Sequence, residues 1–517
     1  MSVSHYVDSL RCAVGKDNVI LLDAGDCLQG DNASYYFNYV DTVSAHLFPR
    51  LVSYMKYDAV AVGNHDIEAG HGVYDRVAAE LRDRNIPLLG ANVLKTSDGL
   101  NYFPAYTILK RAGLKVLVLG FENANINAWL SEAQFKGMSF VSLVPFVQEC
   151  SNIANRAFNP DVTVVVMHSG VGDGDGMSYE SQGLDVFNTL EGVDVVICGH
   201  DHSTAVVRKD GMVLVDGGTR ARGLCHSVVT VDGSGKSVDA RYVRLDKDNV
   251  DLRMRRKFDR EFRTVRDFTN MEVGRFTMTM STRDAYRGMS DYVNLIHSVQ
   301  LGLPEAKLSF AAPLTFDGKV DEGVVIFNDM FTIYPYENQL SVVNMTGAEI
   351  KAYMEYSYDQ WIVSSDDHVL RIEPCRDGRN GSRRWSFVGR SYNFDSVGGL
   401  VYTVDVTRDC GDRVNISGLA DGSAFELDRT YPVAMTSYRA NGGGGLMEAG
   451  AGLSKDEVER RTVAKYPEIR DLVYGFIRNH GTVSHETVSD GSVIGGWKFV
   501  PVEKVAPLME ADMKLLF

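Results

Sequence analysis

Val193-Asp-Val-Val-Ile-Cys-Gly-His-Asp-His202 is an apolar, strand-like run that stops at a glycine and continues at once into two imidazoles on alternate residues. A lone histidine beside glycine is more often a turn or a solvated side chain than a ligand. Two of them directly after a buried strand are a costly arrangement unless something binds there. Three earlier segments repeat the pattern. Val19 to Leu22 leads to Gly25-Asp26, Ala59 to Val62 leads to Gly63-Asn64-His65-Asp66, and Val162 to Met167 leads to His168-Ser169-Gly170. In an open α/β sheet the strand ends point into one crevice, so these side chains converge despite their separation in sequence. Gly-Asp alone is a common turn dipeptide, but the joint occurrence of all these segments favours metal ligation. One Asp, one Asn and several His suit two divalent cations sharing a carboxylate, a centre that makes hydroxide from water and clamps a phosphoryl group.

The chain has 517 residues, 44% of them hydrophobic, enough for two domains with separate cores. A net charge of −15 argues against a nucleic-acid polymer or an anionic membrane as partner. No apolar run approaches the ~20 residues of a membrane span, and the start Met1-Ser-Val-Ser-His-Tyr-Val-Asp8 lacks the basic segment and apolar core of a secretory signal. Seven dispersed cysteines with no Cys-x-x-Cys spacing argue against a disulfide scaffold or a zinc knuckle. Cys27 and Cys198 flank proposed ligands and are read as fillers of small buried spaces.

Residues 1–245 alternate short apolar strands with amphipathic helices, the pattern of a layered α/β domain. Met212 to Val215 and Ser227 to Val231 read as its closing strands, with a turn at Gly217 and Gly218. Residues 246–274 are dense in charge and read as a connecting helix, with Leu252, Phe258 and Phe262 as a narrow apolar stripe. Residues 275–517 form a second region rich in strands, glycine and tyrosine, with a helix expected at Gly347 to Ser357.

Taken together, these motifs make the chain similar to the 5'-nucleotidase family of two-domain metallophosphoesterases, from the segment before Asp26 to Trp497-Lys-Phe-Val-Pro501. The resemblance implies an α/β fold with a four-layered αββα metallophosphoesterase domain, a linker helix and a smaller α/β nucleotide-binding domain. It implies a nucleotide substrate, two divalent metal ions, and a periplasmic or cell-surface location. The mixed donor set suits Mn, Zn, Fe or Co. On this resemblance Asp26 bridges the metals, Asn64, His168 and His200 complete the second site, and His202 belongs to the first. His65 matches the catalytic histidine and Glu68 its partner carboxylate, with Asp66 pointing elsewhere. Tyr334-Pro-Tyr-Glu-Asn338 and Ser437-Tyr-Arg-Ala-Asn-Gly-Gly443 resemble the two halves of a base clamp. They place Tyr336, Asn338, Tyr438, Asn441, Gly442 and Gly443 at the substrate. Without the metal motifs, both tyrosines would read as ordinary half-buried sheet residues.

Tyrosine at both clamp positions, Ala311-Ala-Pro313 and Ser391-Tyr-Asn-Phe-Asp395 resemble the 2',3'-cyclic-nucleotide 2'-phosphodiesterase/3'-nucleotidase branch. Gly444 stands where 5'-nucleotidases carry an Asp that contacts ribose hydroxyls, and 5'-nucleotidase activity is the close alternative. Family members also begin with a strand ending in Asp-x-His, a motif absent before Asp26. The first metal then keeps Asp26 and His202 from the matching set. That departure motivates a second expectation, a catalytically weak nucleotide-binding protein on the same fold.

Overall fold

The apolar runs that end in ligand-type residues are strands, and they fall into two sheets. In the computed structural model, which describes residues 1–517 apart from 131, 234, 337 and 377–382, β1 (Leu22–Asp23), β2 (Ala59–Ala61) and β3 (Leu88–Leu89) form a small parallel sheet. A larger sheet contains β4 (Tyr106–Arg111), β5 (Leu114–Phe121), β6 (Val162–Met167), β7 (Val195–Cys198), β8 (Thr204–Lys209) and β9 (Met212–Gly217). Its order is β8-β9-β7-β6-β5-β4, parallel across the four central strands and antiparallel at both edges.

Alternate residues of a strand point to opposite faces, so a strand buried on both sides reads as a continuous apolar run. All six residues of β6 are buried. Between the sheets, Ala59, Ala61 and Leu89 pack against Val116, Val118, Val164, Val166 and Val213. The other face of the small sheet packs Val60 and Val62 against Val73, Tyr74 and Val77 of the helix His71–Arg82. The other face of the large sheet packs Leu117, Val165 and Met167 against Leu143 and Val147 of the helix Leu143–Phe158. The layers therefore run helix, sheet, sheet, helix, as expected. Gly120 permits the close approach of the sheets, because a Cβ there would lie 2.2 Å from the Leu89 Cβ.

Met212 to Val215 lies within β9, while Ser227 to Val231 lies in a separate hairpin of β10 (Gly223–Asp232) and β11 (Gly235–Arg244). The charged connection is two helices, Leu252–Lys257 and Asp259–Thr269. Its buried stripe differs from expectation: Met254 and Phe258 are buried, whereas Leu252 and Phe262 are 56% and 61% exposed. The cause is the cap. The Asp251 carboxylate accepts from the N–H groups of Arg253 and Met254 and from the Ser4 and Tyr54 hydroxyls. That fixes the start of the first helix, whose Met254 joins Phe258 and Met55 in a small core.

The chain divides into two compact units, Met1–Arg266 and Asp267–Phe517. The second unit is built on a five-stranded sheet of β12 (Leu308–Ala311), β13 (Gln339–Thr346), β14 (Ser396–Gly398), β15 (Thr430–Thr436) and β16 (Thr462–Glu468), in the order β14-β12-β15-β13-β16. The expected helix runs Gly347–Trp361, opened by a capping box between Thr346 and Glu349. It extends to Trp361 because Tyr358 and Trp361 complete a core with Phe394 and Tyr402. Among the described residues, no helix is long and apolar enough to cross a membrane.

Candidate metal centre

Asp26 follows β1 on a turn that only a small residue can open: Gly25 has φ +97, and a Cβ there would meet the Gly63 nitrogen at 2.8 Å. Gly63 is equally constrained, since its Cβ would lie 2.4 Å from Asp26 Oδ1. The two turns touch, and Asp66 holds them together. Its carboxylate accepts N–H bonds from Asp26 (2.9 Å), Cys27 (2.8 Å), Leu28 (2.9 Å) and Gly63 (2.8 Å). Asp66 is thus occupied by backbone and turned away from His65.

His168, at the end of β6, has one ring nitrogen, Nδ1, 2.6 Å from the Ala24 carbonyl oxygen. Donation there puts the proton on Nδ1 and leaves the Nε2 lone pair free for a cation. Nε2 lies 3.0 Å from Asp26 Oδ2 and 3.2 Å from Asn64 Oδ1. His200, beyond β7, places Nδ1 2.8 Å from the same Asn64 oxygen. Ligand atoms of Asp26, His168 and His200 all lie within 4.8 Å of one another. His202 stands outside this group and is exposed; partial burial, aided by the His65 and His200 imidazoles and opposed by Asp26, lowers its pKa from the usual imidazole value. Burial works against ionisation of Asp26, but the His168 and His65 imidazoles overcome it and hold the carboxyl below the usual range.

His65 and Glu68 occupy one face of the short helix Asn64–Glu68, three residues apart. His65 Nδ1 lies 2.5 Å from Glu68 Oε2, and Gln29 donates to the same carboxylate oxygen at 3.1 Å. The His65 backbone N–H donates to Asp26 Oδ1 at 2.9 Å, so the pair is anchored to the proposed ligand. At the end of β5, Glu122 is fully buried, and neither carboxylate oxygen has a hydrogen-bond partner among the described residues. Burial, then the Asp26 and Asp66 carboxylates, push its proton affinity well above the usual range. Imidazole, carboxylate and amide donors converging beside a surplus of buried carboxylate fit a divalent cation.

In the second unit, Tyr336 precedes β13 and Tyr438 lies on the short helix Ser437–Ala440, so neither is a sheet residue. Tyr392 stands edge-on to both, with ring centroids 6.1 Å from Tyr336 and 6.2 Å from Tyr438. Asn338 Nδ2 lies 3.4 Å from the Tyr334 hydroxyl, and Glu337 lies outside the described residues. The Asn441 N–H donates to the Ser437 carbonyl at 2.9 Å, and Gly442 turns the chain at φ +96. Gly443 passes directly beneath Tyr438, since a Cβ would meet that ring at 2.4 Å. The loop is tied down by Arg439, which donates to the Gly443 carbonyl at 2.7 Å and pairs with buried Asp395 at 2.8 and 3.0 Å.

Residues 3–204 match the family described as "Calcineurin-like phosphoesterase", and residues 269–450 match "5'-nucleotidase, C-terminal domain". The chain is a two-domain metallophosphoesterase of the 5'-nucleotidase family. The trifunctional nucleotide phosphoesterase protein YfkN of Bacillus subtilis is 23% identical over 96% of this chain, which spans 37% of that relative. A 2',3'-cyclic-nucleotide 2'-phosphodiesterase/3'-nucleotidase of Yersinia enterocolitica is 20% identical over 95% of the chain and 82% of its own length. Among solved structures, the 5'-nucleotidase precursor from Thermus thermophilus covers 96% of this chain and 93% of that one, with a TM-score of 0.63 and 18% identity. At that identity the structure speaks for the fold alone.

Calcineurin-like phosphoesterases use divalent metals, and the phosphoesterase domain gathers Asp26, Asn64, His168 and His200 from four segments in a way that suits one. Several residues that shape this metallophosphoesterase site carry no sequence signal. Glu122, Asn123, Trp129 and Glu180 sit outside every motif, and only the strand register places Glu122 beside His168. Tyr392 is visible in sequence as part of a branch-like segment, yet its edge-on contact with both Tyr336 and Tyr438 is not.

Proposed function

We propose that the protein is a metal-dependent nucleotide phosphohydrolase acting on 2',3'-cyclic and 3'-nucleotides, with 5'-nucleotides as the alternative substrates. The observation that carries the hydrolase reading is the convergence of Asp26, His168 and His200 ligand atoms within 4.8 Å of one another, with the Asn64 oxygen beside both imidazoles. Asp26, Asn64, His168 and His200 would hold one divalent cation, and Asp26 with His202 would serve a second. When bound, such cations make hydroxide from water and offset charge on a phosphoryl group. His65, oriented by Glu68, donates a proton or stabilises charge at the leaving oxygen. Tyr336 and Tyr438 stack on the base, with Asn338, Asn441, Gly442 and Gly443 beside it; stacking of this kind contributes ~1–3 kcal/mol per base.

The substrate branch is supported by Gly444. A Cβ there would lie 2.4 Å from Asn393 Oδ1 and 2.7 Å from Arg439 Nη1, so the position holds no carboxylate to read ribose hydroxyls. A carboxylate would also repel a phosphate carried on those hydroxyls. The test is metal content by elemental analysis, together with hydrolysis of a 2',3'-cyclic, a 3'- and a 5'-nucleotide by one preparation. Asp26→Asn removes the shared charge and abolishes both metal retention and turnover. Wild-type turnover by that variant rejects the metal assignment, and faster hydrolysis of the 5'-nucleotide rejects the branch.

A further inference from the structure

We infer that Glu180 and Trp129 are positioning residues for the His200 imidazole, both hung from the buried amide of Asn123. The inference rests on reading the site as a metal centre. His200 lies on a loop after β7 with φ +81, so no strand fixes its ring. What fixes it is contact. Glu180 Oε1 lies 3.0 Å from Nε2, and the Trp129 indole stacks on the imidazole with centroids 5.0 Å apart and 17° between planes. The carboxylate keeps the proton at Nε2 and strengthens Nδ1, the atom facing Asn64 Oδ1, as a donor. The indole blocks rotation of the ring out of that plane. Lying flat on one aromatic, with Nε2 held by Glu180 and Nδ1 turned toward Asn64 Oδ1, the imidazole has one orientation open to it.

The two supports share an anchor. Asn123, fully buried just after β5, accepts from the Asn125 N–H at 2.9 Å through Oδ1. That bond shapes the turn into the helix Ile126–Trp129. Its Nδ2 donates to the Glu180 carbonyl at 2.8 Å. Buried Ser169, next to His168, donates to the same carbonyl at 3.3 Å and accepts from the Gln182 N–H at 2.9 Å. The segments that carry Trp129 and Glu180 are therefore fastened to the ends of β5 and β6, the latter leading directly into His168. Glu180 itself is 57% exposed in its side chain, which is a poor place for a stabilising ion pair and a suitable one for trimming a ligand.

Zinc binding to the metal-free full-length protein, measured by chelator competition, tests this. Glu180→Ala and Trp129→Leu each weaken zinc binding by ~10–100-fold, the scale for a lost partner of a ligating histidine. Glu180→Gln, which keeps an acceptor oxygen, and Trp129→Phe, which keeps a ring face, recover most of the loss. Nitrogen-15 histidine spectra, assigned with His200→Gln, show an Nε2–H tautomer in the wild type and a tautomer mixture in Glu180→Ala. Wild-type zinc affinity and tautomer in both Glu180→Ala and Trp129→Leu overturn the inference. So does equal loss in the conservative variants, which marks a packing role. Absence of zinc binding by the wild type instead overturns the metal reading beneath it.

Discussion

Replacing Asp66 by Asn separates the clamp beneath the site from the chemistry above it. The Asp66 carboxylate serves four backbone N–H donors, from Asp26, Cys27, Leu28 and Gly63. An amide has one acceptor oxygen with two lone pairs, so it keeps two of these bonds and turns an NH2 group toward the other two donors. Each buried donor left unmatched costs ~1–3 kcal/mol, or ~2–6 kcal/mol for the pair. The loss is local, because the donors belong to two touching turns. Hydrogen exchange reads it directly: protection of the Asp26, Cys27, Leu28 and Gly63 amides falls by roughly 30-fold or more, since every 1.4 kcal/mol is tenfold. Metal retention falls with it, because Asp26 is carried on the loosened turn. Glu68→Gln is the control, and it leaves those amides and the metal untouched while slowing turnover. If Asp66→Asn shows wild-type protection and metal content, the clamp argument is wrong.

His65→Ala lowers kcat by ~10²–10⁴, the scale for a lost acid–base group, with metal content unchanged; loss of metal alongside activity marks His65 as a ligand. Tyr438→Ala raises KM for a nucleotide by roughly 5–150-fold, equivalent to the ~1–3 kcal/mol of one stacking face, and leaves a small phosphate ester with no base unaffected. Equal loss on both substrates makes the tyrosine structural. His297 is buried between Ser309 and Ser396, and burial pulls its pKa from 6.5 to about 3. The folded state thus resists a proton that the unfolded chain accepts, so this contribution to stability is full above pH 6.5 and is lost as pH falls toward 3. The full window amounts to about 5 kcal/mol. His297→Gln flattens the acid limb of unfolding followed by tryptophan fluorescence, and an unchanged limb refutes the assignment.

How far the sequence reaches depends on what each residue needs from the fold. Asp26, Asn64, His168 and His200 are legible because each follows an apolar run, and parallel strands deliver their ends to one side whatever lies between them. The pairing of His65 with Glu68 is legible because three residues along a helix is a fixed displacement. The linker stripe departs from expectation for the opposite reason. Leu252 and Met254 are equivalent until the Asp251 cap sets the start of the first helix, and Ser4 and Tyr54, which hold that cap, are remote in sequence.

Glycine shows the same divide. Gly25 and Gly63 are visible as turn residues in any reading, but their stronger constraint is mutual contact, since a Cβ on either would enter the other's turn. The proposed ligand Asp26 is therefore positioned by what is missing from two glycines as much as by its own strand. Trp129 and Glu180 lie farther out, and both reach His200 from segments outside the sheet whose course is set by the buried Asn123. A proposed ligand at a strand end declares itself in sequence. The groups that aim it do not, because they are chosen by loops, and loop paths follow from hydrogen bonds that exist only once the sheet has formed.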